Sequence, residues 1–223
     1  MNFWAKELLP MANDSRFELH TYVLSKYDAL VRSSVLRTVT AAGRPQLDLP
    51  GIMDGVRVLI ARLPQGSLGA VSAWFLGMLL VKRLQEAAFA RSCQAVDKRR
   101  PYTLVLDEFQ HFLGGSGYGY SKGDRSLGPF LSETRKYGLH LALAHQHMSQ
   151  CDARTLEAVM GNVGSMVVFR VGHQDAELLA RELDGGVTAA ELRNLPLYQA
   201  VASLLVDGSP SRPFSLETVP LEP

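Results

Sequence analysis

Cysteine is scarce in this chain: Cys93 and Cys151 are the only two, and neither belongs to a CxxC pair. That argues against a disulfide framework or a zinc ribbon and points to buried thiols in a reducing compartment. Neither sign of charge is in excess. With 23 Lys and Arg against 22 Asp and Glu the formal charge is +1. The overall field therefore argues neither for nor against nucleic acid, and only a local basic patch could do so. Long apolar runs are also missing. The longest candidate, Leu68 to Val81, contains Ser72 and two glycines, is followed by Lys82-Arg83, and is too short to span a bilayer. It reads as a core helix. The opening residues, Met1 to Pro10, lack a basic stretch followed by an apolar one, so no signal peptide is expected. These absences lead to the expectation of a soluble, cytoplasmic protein. At 47% hydrophobic and 20% charged over 223 residues, the composition is that of a globular chain long enough for one large domain or two small ones.

Apolar spacing of three and four residues predicts helices over Arg16 to Tyr27 and Asp28 to Thr40, ended by Ala42-Gly43-Arg44-Pro45. Val56 to Leu63, between Gly55 and Pro64, reads as a strand, and Ser67 as the cap of a long helix to about Ala95. Further strands are expected at Thr103 to Phe109, Leu139 to Ala144, Ser165 to Val171 and Gln199 to Val206. Helices are expected near Pro129 to Tyr137, closed by Gly138, and near Ala153 to Met160, Asp175 to Leu183 and Glu191 to Asn194. A glycine-rich loop runs from Gly114 to Gly128. Strands alternating with helices, several of them continuously apolar, predict an α/β fold with a mostly parallel sheet covered on both faces. No repeat or linker divides it. The economical division is a helical segment over residues 1–50 and one core over 51–223.

Leu104-Val105-Leu106-Asp107-Glu108-Phe109 carries most of the chemistry. A buried strand ending in two acids sets them at the carboxyl edge of a sheet, where α/β proteins put their ligands. Gln146 ends the next strand and Arg170 lies late in the one after, so parallel strands would gather all four residues along one edge. Each has a plain alternative: solvated acids, a helix-capping glutamine, a surface ion pair. An acid pair beside a polar residue on the adjacent strand is, however, what phosphate chemistry needs.

Leu104 to Phe109 resembles a Walker B strand. Leu131-Ser132-Glu133-Thr134-Arg135-Lys136-Tyr137-Gly138-Leu139 followed by Leu141-Ala142-Leu143-Ala144-His145-Gln146 resembles the "ARKYGL…LAHQ" signature. Both are similar to the HerA/FtsK-type motor ATPases, in particular the TraG/TraD-like coupling proteins of conjugation and type IV secretion. Gly161 to Gly164, Phe169 to Gly172 and Asp175-Ala176 resemble that family's next block; Ser25-Lys26-Tyr27 and Leu63 to Gly69 fit its approach to Walker B. The resemblance implies a RecA-like sheet. It implies Asp107 as the residue that organises Mg²⁺ beside ATP, Glu108 as the catalytic acid, and Gln146 as sensor of the γ-phosphate. It also implies DNA as partner, a ring (usually a hexamer) and secretion-channel or relaxosome proteins nearby. Other segments or partners would hold it at the cytoplasmic face of the inner membrane. One arginine, Arg135 or Arg170, would reach into the neighbour's nucleotide site; Arg135 can equally serve as a last-turn cation at a helix end.

The family's phosphate cradle, GxxxxGK(S/T), is absent from the sequence. Gly117 to Gly123 imitates it poorly, since Lys122 follows Ser121 and the stretch comes after Walker B. That loop is better read as an excursion whose lysine and tyrosines could touch DNA. The expectation is an incomplete P-loop NTPase core, the C-terminal part of a longer motor, inactive alone. Two alternatives remain: a non-catalytic partner-binding module on a degenerate ATPase core, and a metal-dependent hydrolase using Asp107, Glu108, His111 and His145 or His147.

Overall fold

A computed structural model describes residues 32–41, 43, 47–113, 127–184 and 186–220. The chain forms two compact units, Met1–Ala87 and Ala88–Pro223. The helix expected over Arg16 to Tyr27, and all but the last two residues of the Gly114 to Gly128 loop, lie outside the described residues.

In the first unit, α1 (Ser34–Ala41) is followed by α2 (Leu49–Asp54), which starts where the Asp48 carboxylate accepts from the Gly51 N–H at 3.0 Å. A short α3 (Gln65–Leu68) precedes α4 (Ala70–Ala90), which runs on past the unit boundary. Ser67 lies inside α3 rather than capping the long helix, because Gly69 at φ +78° separates the two. Along α4, Ala73, Val81, Leu84 and Ala88 are buried at helical spacing, while Lys82, Arg83 and Glu86 are exposed. No helix of the described residues is long and apolar enough to cross a membrane. Val56 to Leu63 is not a strand. Val58 and Ile60 are 87% and 85% exposed, and no described strand pairs with the segment. β composition makes a strand only where a ladder partner accepts it.

The second unit holds β1 (Tyr102–Asp107) and β2 (Leu139–Ala144), a parallel pair in register from Tyr102 opposite Leu139 to Asp107 opposite Ala144. Tyr102, Leu104, Leu106, Leu139, Leu141 and Leu143 share the covered face. Thr103, Val105, Asp107, His140, Ala142 and Ala144 share the other, which is exposed; Val105 is 68% accessible. Between the strands, α5 (Leu127–Glu133) tightens into a 3₁₀ turn over Thr134–Tyr137 that ends at Gly138 with φ +76°. A side chain there would strain the backbone and press on the Arg100 carbonyl 3.0 Å from its Cβ.

Beyond β2 come α6 (Ala153–Met160), β3 (Met166–Val168), α7 (His173–Glu182), α8 (Ala189–Arg193) and β4 (Gln199–Ser203). A small hairpin, β5 (Leu205–Val206) and β6 (Ser209–Pro210), turns on Asp207-Gly208, both at positive φ. β7 (Phe214–Glu217) closes the chain's second sheet, ordered β3-β4-β7 and antiparallel throughout. Its core gathers Val168, Ala176, Leu179, Leu192 and Val201. The fold class is α/β with a parallel pair and helices, as expected. The later strands do not extend that pair, however: β3 lies beside β4, running against it, and not beside β2.

The cysteines differ from expectation. Cys93 is exposed and Cys151 half-buried. Burial, and then the charge of Asp152, push the Cys151 thiol above its ordinary pKa. A thiol reagent at neutral pH is therefore expected to label Cys93 well before Cys151, as peptide mass spectrometry would show; the reverse order would contradict this packing.

Candidate active site

The apolar face of β1 carries the chain to Asp107, the last strand residue, whose side chain lies on the exposed face. At Glu108 the backbone leaves the strand abruptly, with φ and ψ both at 50°. This left-handed conformation costs a non-glycine residue about 1 kcal/mol. A 3₁₀ turn over Phe109–His111 follows, closed by the His111 N–H donating to the Glu108 carbonyl at 3.0 Å. Phe109 is thereby buried, its ring edge-on to His145 at 5.1 Å. The strained corner thus swings the Glu108 carboxylate toward the end of β2.

There the carboxylate is held by two amides. Gln146 Nε2, just past β2, donates to Oε1 at 2.5 Å. Gln110 Nε2 donates to Oε2 at 2.7 Å and also to Gln150 Oε1 at 2.8 Å. Gln110 is buried, and its own Oε1 has no partner. A continuous polar chain, Gln146–Glu108–Gln110–Gln150, therefore spans the C-terminal edge of the parallel pair. Sequence reasoning missed Gln110 and Gln150. The one signal for Gln110 was its place two residues past Glu108, which acquires meaning only with the tight turn.

Next to this edge, the buried Asp175 accepts the Met148 N–H at 3.3 Å and lies 4.0 Å from His147 Nδ1. His145 packs on Phe109 and His147 lies at Asp175, while His111 stands exposed beside Phe112. Among the described residues no group of three or more His, Cys, Asp and Glu is placed to hold a metal ion. Asp107, Glu108, His111, His145 and His147, the residues of the hydrolase reading, thus form no such group. A magnesium ion held beside a nucleotide makes a lesser demand, one or two carboxylates with waters and phosphates completing the shell. The exposed Asp107 carboxylate fits it.

The arginines stand elsewhere. Arg135 is exposed in the 3₁₀ turn that leads into β2, at the opposite edge of the sheet from the acids. Five residue steps along β1 separate the two edges, about 17 Å at 3.3 Å per residue. Arg135 therefore does not join its own chain's acids. Arg170, also exposed, follows β3 in the antiparallel sheet, so the parallel strands do not gather it at their edge as expected. Asp107, Glu108 and Gln146 are brought together; the arginines are not added to them.

No protein-family model and no curated protein matches the sequence. Among solved structures, the chain is similar to the genome-packaging NTPase B204 from Sulfolobus turreted icosahedral virus 2. With that protein's AMPPCP complex the TM-score is 0.45 at 14% identity, over 64% of this chain and 62% of the other. With its ATP-gammaS complex the values are 0.44 and 15%, over 59% and 62%. The match spans less than two thirds of that protein's length.

Proposed function

We propose that this chain is the C-terminal part of an ATP-driven DNA-translocating motor, of the conjugative or type IV secretion coupling type. The observation that carries the reading is the bond from Gln146 to Glu108, which joins the end of one parallel strand to the end of its neighbour. A glutamine at that place can exchange the carboxylate for a γ-phosphate oxygen, and so register whether ATP is whole or cleaved. Glu108 would orient and deprotonate the attacking water. Asp107 would hold Mg²⁺, which neutralises charge on the β- and γ-phosphates when bound. Arg135 or Arg170, both exposed, would act on the site of a neighbouring copy in a ring, a hexamer by resemblance. DNA would be the transported polymer. The ring would work in the cytoplasm, held at the inner-membrane face by other segments or by secretion-channel and relaxosome proteins.

The phosphate cradle has to come from a segment bearing GxxxxGK(S/T), which this sequence does not contain. The test is an ATPase assay of the chain alone and of the chain combined with such a segment. Hydrolysis in the combination only is the expected outcome. Hydrolysis by the chain alone, or by neither, would overturn the reading.

A further inference from the structure

We infer that the N-terminal edge of the β1–β2 sheet is a contact surface for the phosphate backbone of DNA, on the far side of the sheet from the acids; the choice of DNA rests on the motor reading above. Two segments meet at this edge, residues 98–100 leading into β1 and residues 135–137 leading into β2. Arginine side chains tie them together by donating to their backbone carbonyls. Arg99 Nη1 donates to the Lys136 carbonyl at 2.7 Å, and its guanidinium lies 5.3 Å from the Tyr137 ring centre. Arg91 Nη1 donates to the carbonyls of Arg100 at 2.9 Å and Tyr137 at 3.2 Å. Arg91 and Arg99 thus serve the fold. Their bonds fix a frame from which Lys98, Arg100, Arg135 and Lys136 stand exposed.

These six cations are accompanied by two carboxylates flanking the same segments, Asp97 and Glu133. The local excess is four positive charges in a chain whose formal charge is +1. Charge of one sign is concentrated here and offset elsewhere. A solvated face needs no such concentration, and no such rigid frame. Four exposed cations spread over two adjacent segments suit a polyanion rather than a single small anion. Duplex DNA offers about one charge per 1.7 Å of axis, so several can engage phosphates together.

The experiment is a titration of the full chain against a fluorescent duplex of arbitrary sequence, by anisotropy, over a series of salt concentrations. The comparison is the triple variant Lys98→Glu, Arg100→Glu, Lys136→Glu, with the milder Lys98→Gln, Arg100→Gln, Lys136→Gln in case charge reversal unfolds the chain. Arg135 is left intact because of its proposed role at a neighbour's site. The expected result is affinity about tenfold or more weaker, with the salt slope shallower by about 0.9 for each phosphate that is no longer neutralised. Equal affinity and slope for the wild type and both variants would overturn the proposal. So would a wild-type chain that ignores DNA but binds vesicles of phosphatidylcholine with phosphatidylserine, which would make this edge a membrane surface. Failure to bind either would overturn it too. The ATPase test is independent. Hydrolysis with variants that bind DNA normally removes only this surface, while absent hydrolysis with DNA binding abolished in the variants removes only the motor reading.

Discussion

If the motor reading holds, Glu108→Gln in the chain combined with a GxxxxGK(S/T) segment is expected to lower kcat by about 10²–10⁴-fold while the Kd for ATP stays within about threefold. The substitution keeps the length and shape of the side chain and removes its capacity to take a proton. Its structural cost is small for a reason visible at the site. Two amide nitrogens, from Gln110 and Gln146, point at the carboxylate, and a glutamine would set its own NH₂ against one of them. Gln110 has a buried, unpartnered Oε1. Turning that amide over would present an acceptor to the new NH₂, at the expense of the bond to Gln150. The fold therefore tolerates the change and the proposed chemistry does not. Stopped-flow binding of a fluorescent ATP analogue together with steady-state hydrolysis separates the two. A variant that loses binding and turnover equally would place Glu108 in nucleotide binding rather than in activating water.

Much of this site could be read from residue order. Leu139 to Ala144 and Ala153 to Met160 have the bounds that their apolar spacing implies, and Gly138 closes its turn in the left-handed conformation a C-terminal glycine supplies. An apolar strand ending in Asp-Glu, with Gln at the end of the next, sufficed to bring Asp107, Glu108 and Gln146 to one edge. Pairing was less legible. Val56 to Leu63 and Ser165 to Val171 look alike as strands, yet only part of the second forms a ladder, and that ladder is antiparallel. Alternation says which side chains seek burial and leaves open which neighbour provides it. Gln110 and Gln150 were hidden for a different cause. Their meaning depends on the left-handed corner at Glu108, a tertiary outcome that no local propensity favours.

Arg91→Met is expected to destabilise the second unit by about 2–3 kcal/mol, and Arg99→Met by only about 1 kcal/mol. The two arginines look equivalent in the sequence and do similar work, each donating to carbonyls around the 3₁₀ turn before β2. Burial decides between them. Arg91 is 2% exposed and donates to the part-buried Arg100 and Tyr137 carbonyls, so its loss removes a buried charged donor from both segments at once. Arg99 is partly exposed, and water can take over at Gln94 and Lys136. Urea denaturation followed by far-UV circular dichroism, with hydrogen exchange of peptides covering Tyr102–Asp107 and Leu139–Ala144, reads the effect. Faster exchange in both strands for Arg91→Met, and little change for Arg99→Met, is the expected pattern; equal effects would show that burial is not what separates them. The consequence reaches the opposite edge. Arg91 ties together the segments from which β1 and β2 start, and their register sets Glu108 beside Gln146. Slippage by one residue would turn every side chain of one strand to the other face and part that pair.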